Sequence, residues 1–146
     1  MKVADILQRK GDTVHTIFSW NTVAEAVTRL AGPPAIGALV VCDNAHGHVD
    51  GIVTERDIIR ALKDSHGPVG EMAVADVMSR YVPVCSPEDT LAHLMAQMTR
   101  SRQRHLPVVR DGALCGLVSI GDVVRHRVEE MQLEADVLRD MYLAHR

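Results

Sequence analysis

The stretch Gly51-Ile-Val-Thr-Glu-Arg-Asp57, "GIVTERD", has an echo sixty-five residues later in Gly116-Leu-Val-Ser-Ile-Gly-Asp122, "GLVSIGD". Each holds a glycine, an apolar pair, a hydroxyl residue, and an aspartate three positions after that hydroxyl. Working outward, "VADIL" at 3–7 returns as "VADVM" at 74–78, and "TVAEAVTRLA" from Thr22 returns as "TLAHLMAQMT" from Thr90. The correspondences keep their order while the spacing drifts by a few residues, as a change of loop length would produce. One unit has been duplicated.

Each copy has the same layout. A short helix at the VAD segment leads to a strand, at 14–17 and again at 82–85. A capped helix follows. In the second copy "SPEDT" offers Ser86 as N-cap, with Pro87 at the first helical position and Asp89 three residues after the cap. In the first copy "SWNT" offers Ser19 or Asn21. Two strands come next, "IGALVVC" and "HVDGIVT" in one copy, "HLPVVR" and "ALCGLVS" in the other, the latter pair joined by the two-residue hairpin turn Asp111-Gly112. A last helix opens at Glu55 or Ile120. The fold class is α/β (α+β): tandem β-α-β-β-α units, each too small to bury much surface alone, packed sheet to sheet. The expected divisions are 1–67 and 68–128 for the two repeats, and 129–146 for a C-terminal helical extension.

With 47% apolar and 24% charged residues and a net charge of −3, this is the composition of a folded globular chain, not of a nucleic-acid-coating one. Aromatics at 3% leave no stacking platform for single strands. Cys42, Cys85 and Cys115 have no C-x-x-C spacing, so they read as small buried hydrophobes in a reducing, cytoplasmic setting. "MKVADILQRK" is no signal peptide, and no run is long and apolar enough for a bilayer. His46, His48 and His66 show no metal-ligand spacing, and no metal site is expected.

The motif's chemistry comes from its position. A hydroxyl at a strand end opens a helix whose first N–H groups are unpaired, an environment that favours anions such as phosphate. An aspartate in the first turn offers two acceptor oxygens to a vicinal diol. Together they suggest a nucleotide. Capping alone explains the same residues, because a Ser or Thr followed three places later by an acid is a capping-box variant.

Taken with "RHLPVV" and the duplicated layout, the two motifs resemble a pair of CBS domains, the Bateman module. In particular, the chain resembles small stand-alone bacterial proteins of that kind, over essentially its whole length. The resemblance implies a regulatory module that binds adenosine-containing ligands in clefts between the repeats, without catalysis. Each cleft would join the motif of one unit to the first strand and the segment before "PVV" of the other. The first would combine Thr54, Arg56 and Asp57 with Val82, Pro83, Arg104, His105 and Pro107. Asp57 would hold the ribose, Thr54 a phosphate, and the apolar strand would cover the adenine. Arg56, Arg104 and His105 would supply positive charge, arginine being suited to forked phosphate recognition. The second and weaker cleft would combine Ser119 and Asp122 with Val14, His15, Ile36 and Gly37. It lacks the arginines, since Gly121 stands where Arg56 does. AMP, ADP, ATP or NAD(H) is the expected ligand, and no cofactor is required.

Residues 122–146 contain no Gly or Pro and read as one helix, with Val124, Val128, Met131, Ala135, Leu138 and Tyr142 spaced by four and three. The first two turns of such a helix cover its own domain, and the last turns, projecting past the repeat unit, are expected to pack against a partner copy in a homodimer. Any output must pass through a separate effector protein, as no effector domain follows from the sequence. Neither nucleic acid nor membrane is an expected partner. Two other readings stand beside the sensor: a structural homodimer with vestigial clefts, and an enzyme acting on nucleotides. Against the enzyme, no P-loop and no oriented nucleophile is visible.

Overall fold

Valine-rich runs bounded by turn residues become strands, and the amphipathic segments between them become helices. The computed structural model describes residues 1–145. In the first half α1 (Val3–Lys10), β1 (Thr16–Ile17), α2 (Val23–Ala31), β2 (Ala38–Val41), β3 (Gly51–Thr54) and α3 (Glu55–Asp64) follow in order. After one turn of 3-10 helix (Val69–Glu71) come α4 (Val74–Val77), α5 (Leu91–Ser101), β4 (His105–Arg110), β5 (Ala113–Ser119) and α6 (Ile120–Ala144). The expected C-terminal helix is therefore present, and only Arg146 of it lies outside the described residues.

In the first sheet β1 runs parallel to β2, and β2 antiparallel to β3, with Ala38 opposite Thr54 and Val41 opposite Gly51. In the second, β4 and β5 form an antiparallel hairpin with His105 opposite Ser119. Its turn residues Asp111 and Gly112 both have positive φ, +52° and +78°, as a two-residue hairpin turn demands. The strand expected at 82–85 shrinks to one parallel bridge, Cys85 with Val108. Pro83 has no N–H to give a ladder, and Tyr81 sits at φ +57°, so the chain reaches β4 only at Cys85.

The helix caps differ from the expected ones. Thr22, not Ser19 or Asn21, caps α2, accepting from the Glu25 N–H at 3.1 Å. Thr90, not Ser86, caps α5, accepting from the His93 N–H at 3.2 Å. Asp89 turns its carboxylate back to the Ser86 N–H (2.8 Å), so "SPED" closes a turn of its own and the helix starts one turn later.

Two cores form, and each takes a helix from the other half of the chain. Val3 and Ile6 of α1 are fully buried among Leu91, Leu94, Met98, Leu106, Val108 and Val123. Val74 and Met78, in and just after α4, lie among Ile17, Ala26, Leu30, Leu39 and Val53. Backbone bonds repeat the exchange: Val3 N–H to Asp89 O (2.9 Å) and Ala4 N–H to Pro87 O (2.9 Å), against Val74 N–H to Asn21 O (2.8 Å) and Ala75 N–H to Ser19 O (2.9 Å). At ~1.5–3 kcal/mol for each fully buried aliphatic side chain, two such residues hold α1 in the second core. The motif glycines permit this closure. A Cβ on Gly51 would fall 2.7 Å from the Ser79 carbonyl oxygen, and one on Gly116 would fall 2.6 Å from Leu7 Cδ2.

Candidate functional site

The strand β3 carries the first motif, and three features follow one another along it. At its Gly51 end Val82 lines a cavity of about 270 Å³ together with Arg80 and Tyr81. At its middle Ile52 pairs with Ser79, whose hydroxyl donates to Asp57 Oδ1 at 2.6 Å. At its far end Thr54 opens α3 and lines a cavity of about 510 Å³ with Arg56, Arg102, Arg104 and His105. Gly51 to Thr54 is about 10 Å of strand at ~3.3 Å per residue. A recess of mixed lining with Val82 and Val84, a carboxylate–hydroxyl pair and a basic cavity thus lie in that order.

Asp57 is buried, and its oxygens have protein partners. Oδ2 accepts from the Thr54 N–H (2.9 Å) and from the Thr54 hydroxyl (3.0 Å), while Arg60 stands 3.6 Å from Oδ1. The cap explains the Thr54 bonds in full, and Ser79 is the partner from outside the motif, its hydroxyl on Oδ1. Thr54, Arg56, Arg104 and His105 are brought together. Val82 lines the smaller cavity, and Pro83 beside it is half-buried. Pro107 is buried within β4, its carbonyl accepting from the Cys85 N–H at 2.9 Å.

His105 differs from its expected role. Burial, together with the nearby Lys10 and Arg104 cations, pushes its pKa below the ordinary 6.5 against the pull of Asp122. At neutral pH the ring is uncharged, so it offers a hydrogen bond and not a positive charge. Arg102, three residues earlier, lines the cavity beside it and carries the positive charge; it stands in the run "RSRQRH", and no spacing rule singled it out.

The second motif is engaged differently. Lys10, the last residue of α1, places Nζ 2.6 Å from Asp122 Oδ2 and donates to the Leu117 carbonyl at 3.0 Å. Asp122 Oδ2 also accepts from the Ser119 N–H (3.0 Å), and Arg125 lies 3.7 Å from Oδ1. Burial works to raise the Asp122 pKa, but the Lys10 ammonium and the Ser119 donors overcome it and hold the carboxyl below the usual range. The side where Gly121 replaces Arg56 therefore has cations of its own, Arg125 from α6 and Lys10 brought from the other half by the helix exchange. Of the residues grouped with Asp122, Val14 is half-buried, His15 is exposed, and Ile36 packs on the first core. Gly37 lines the Thr54 cavity, a Cβ on it falling 2.5 Å from His105 Nε2.

Among the described residues no cluster of His, Cys, Asp or Glu is arranged to hold a metal ion, and no helix is long and apolar enough to cross a membrane.

Comparison with known proteins agrees with this architecture. The family model for the CBS domain matches twice, at residues 3–64 and 74–129. The chain is similar to the mitochondrial CBS domain-containing protein CBSX3 of Arabidopsis thaliana, 33% identical over 145 residues, covering 91% of this chain and 70% of that one. Among solved structures it resembles the CBS-domain-containing protein ATU1752 of Agrobacterium tumefaciens, with 40% identity and a TM-score of 0.80 over 86% of this chain and 92% of that one. It also resembles the CBS domain pair of protein MJ0100, solved in complex with 5′-methylthioadenosine and S-adenosyl-L-methionine, with 25% identity and a TM-score of 0.73 over 86% of this chain and 98% of that one. The two duplicated units are two CBS repeats, and the chain belongs to the CBS-domain family.

Proposed function

We propose that this CBS pair is a cytoplasmic regulatory module, not an enzyme, that binds an adenine nucleotide in the cleft of Thr54, Arg56 and Asp57 and reports to an effector protein. The observation that carries this reading is the order of features along β3: a recess with Val82 and Val84 in its wall, Asp57 with Ser79, then the arginine cavity. A base, a ribose and a phosphate occur in the same order over a similar length. The adenosine compounds bound by the MJ0100 pair support the ligand class. The second cleft is the weaker site because Lys10 already occupies Asp122. Homodimerisation through α6 completes the proposal: Val128, Met131, Leu138 and Tyr142 are 54–73% exposed along one stripe of a helix that outruns its own core.

A second reading, a structural dimer with vestigial clefts, is favoured by the engagement of both motif carboxylates in protein contacts. Melting temperature against AMP, ADP, ATP, NAD, NADH and S-adenosylmethionine separates the two. A ligand at a hundred times its Kd adds about 2.7 kcal/mol, roughly 5–10 °C for a chain of this size, and Arg56→Ala should abolish the shift. No shift with any ligand would leave the structural reading standing alone.

A further inference from the structure

Among the described residues five arginines stand at ion-pair distance from a carboxylate and seven do not, of which Arg29, Arg80, Arg100 and Arg110 are exposed elsewhere on the surface. Arg9, Arg60, Arg125, Arg127 and Arg139 each have a carboxylate within ion-pair distance. Arg56, Arg102 and Arg104 have none among the described residues, yet all three line the same cavity of about 510 Å³. One carboxylate, Glu55, lines it too, which leaves an excess of positive charge in a chain whose net charge is −3. Unpaired guanidiniums converging on a concave surface are matched by an anion.

The number of guanidiniums decides which anion. Arg56 and Arg104 suffice for a phosphate monoester, each able to fork two N–H groups onto its oxygens. Arg102 is a third. It ends α5 in the left-handed conformation, φ +57°, which turns the chain so that residues 102 and 104 both reach the cavity from one loop. Glycine adopts that conformation more readily than any other residue, and an arginine holds the position here. The volume lies within the range of small-molecule pockets.

We propose that the cavity is a polyphosphate site, and that Arg102 makes the cleft select nucleoside di- and triphosphates over the monophosphate. The proposal rests on the reading of this cleft as an adenine-nucleotide site. Isothermal titration of the full chain with ATP, ADP, AMP and inorganic tripolyphosphate, at one ionic strength, tests both and tells their failures apart. ATP should bind about tenfold or more tightly than AMP, and Arg102→Ala should weaken ATP about tenfold while leaving AMP within about twofold. Arg102→Gly, which suits the backbone at φ +57°, should act like Arg102→Ala, and Arg102→Lys should recover part of the loss. Arg56→Ala should weaken ATP and AMP alike. Equal affinity for AMP and ATP, or an Arg102→Gly variant that changes neither or both equally, overturns this inference and leaves nucleotide binding intact. Binding of tripolyphosphate alone, lost in Arg102→Gly, supports the polyphosphate site and overturns the nucleotide reading. Binding of none of the four overturns both.

Discussion

Replacing Gly51 by alanine should cost more than replacing its repeat partner Gly116. In Gly51→Ala the new Cβ meets the Ser79 carbonyl oxygen at 2.7 Å and Met78 Sδ at 3.0 Å. A carbon–oxygen contact is comfortable at about 3.3 Å or more, so the backbone at Ser79 must retreat by roughly 0.6 Å. Ser79 and Ile52 exchange two backbone hydrogen bonds of 2.9 and 3.0 Å, and both lengthen as it moves. Overpacking costs about 1–3 kcal/mol and two weakened hydrogen bonds up to about 1 kcal/mol each, so a loss of about 2–4 kcal/mol is expected. In Gly116→Ala the nearest atoms to the Cβ belong to the Leu7 side chain, at 2.6 Å for Cδ2 and 2.9 Å for Cδ1. That is the free end of a side chain at the margin of its core, which can rotate, for about 1 kcal/mol. Urea unfolding of both variants at pH 7 measures the difference, equivalent to a melting temperature lowered by roughly 5–15 °C for Gly51→Ala. Equal losses, a larger loss for Gly116→Ala, or a Gly51→Ala variant within about 0.5 kcal/mol of the parent would refute the claim that the exchanged segment closes on this glycine.

Other outcomes follow from single contacts. Asp122 is held below its unfolded pKa of about 3.8, so the pair with Lys10 contributes stability above that pH and loses it as pH falls through the folded value; Lys10→Met should flatten the acid limb of a stability–pH profile and cost about 1 kcal/mol at pH 7, a modest figure because Lys10 is one-third exposed. An unchanged acid limb would show that Lys10 does not govern Asp122. Burial pushes the Cys85 thiol up to about 12 and raises that of Cys115 as well, so a thiol reagent at pH 8 should modify the half-exposed Cys42 first, Cys115 more slowly, and spare Cys85 in the folded chain. Fast modification of all three would contradict its burial. Leu138→Lys with Val128→Lys should convert a dimer to a monomer by sedimentation without lowering the melting temperature of the monomer, as both side chains are exposed; a dimer that survives would remove α6 from the interface.

Much of this architecture is legible in the sequence because it is local or repeated. The duplicated motifs, the Asp111-Gly112 hairpin and the uninterrupted α6 need only short-range rules. The caps misled because Ser86 and Asp89 satisfy each other in a turn before Thr90 takes over, and adjacent capping residues compete on equal terms. The exchange of α1 and α4 is a long-range fact with no periodicity to announce it, and Lys10 follows from it. Nothing in "QRK" pairs that lysine with an aspartate more than a hundred residues away. Arg102 stood in plain view within a basic run, but only the left-handed turn at the end of α5 brings it to the cavity.

The most direct test of the central claim is an NMR titration of ¹⁵N-labelled protein with ATP, following backbone amides and arginine Nε–H signals. Binding in the first cleft should shift the signals of residues 54–57 and 102–105, with Nε–H changes at Arg56, Arg102 and Arg104. Residues 119–122 should move little while Lys10 keeps Asp122. Perturbation centred on Ser119 and Asp122, with the three arginines unmoved, would contradict the account.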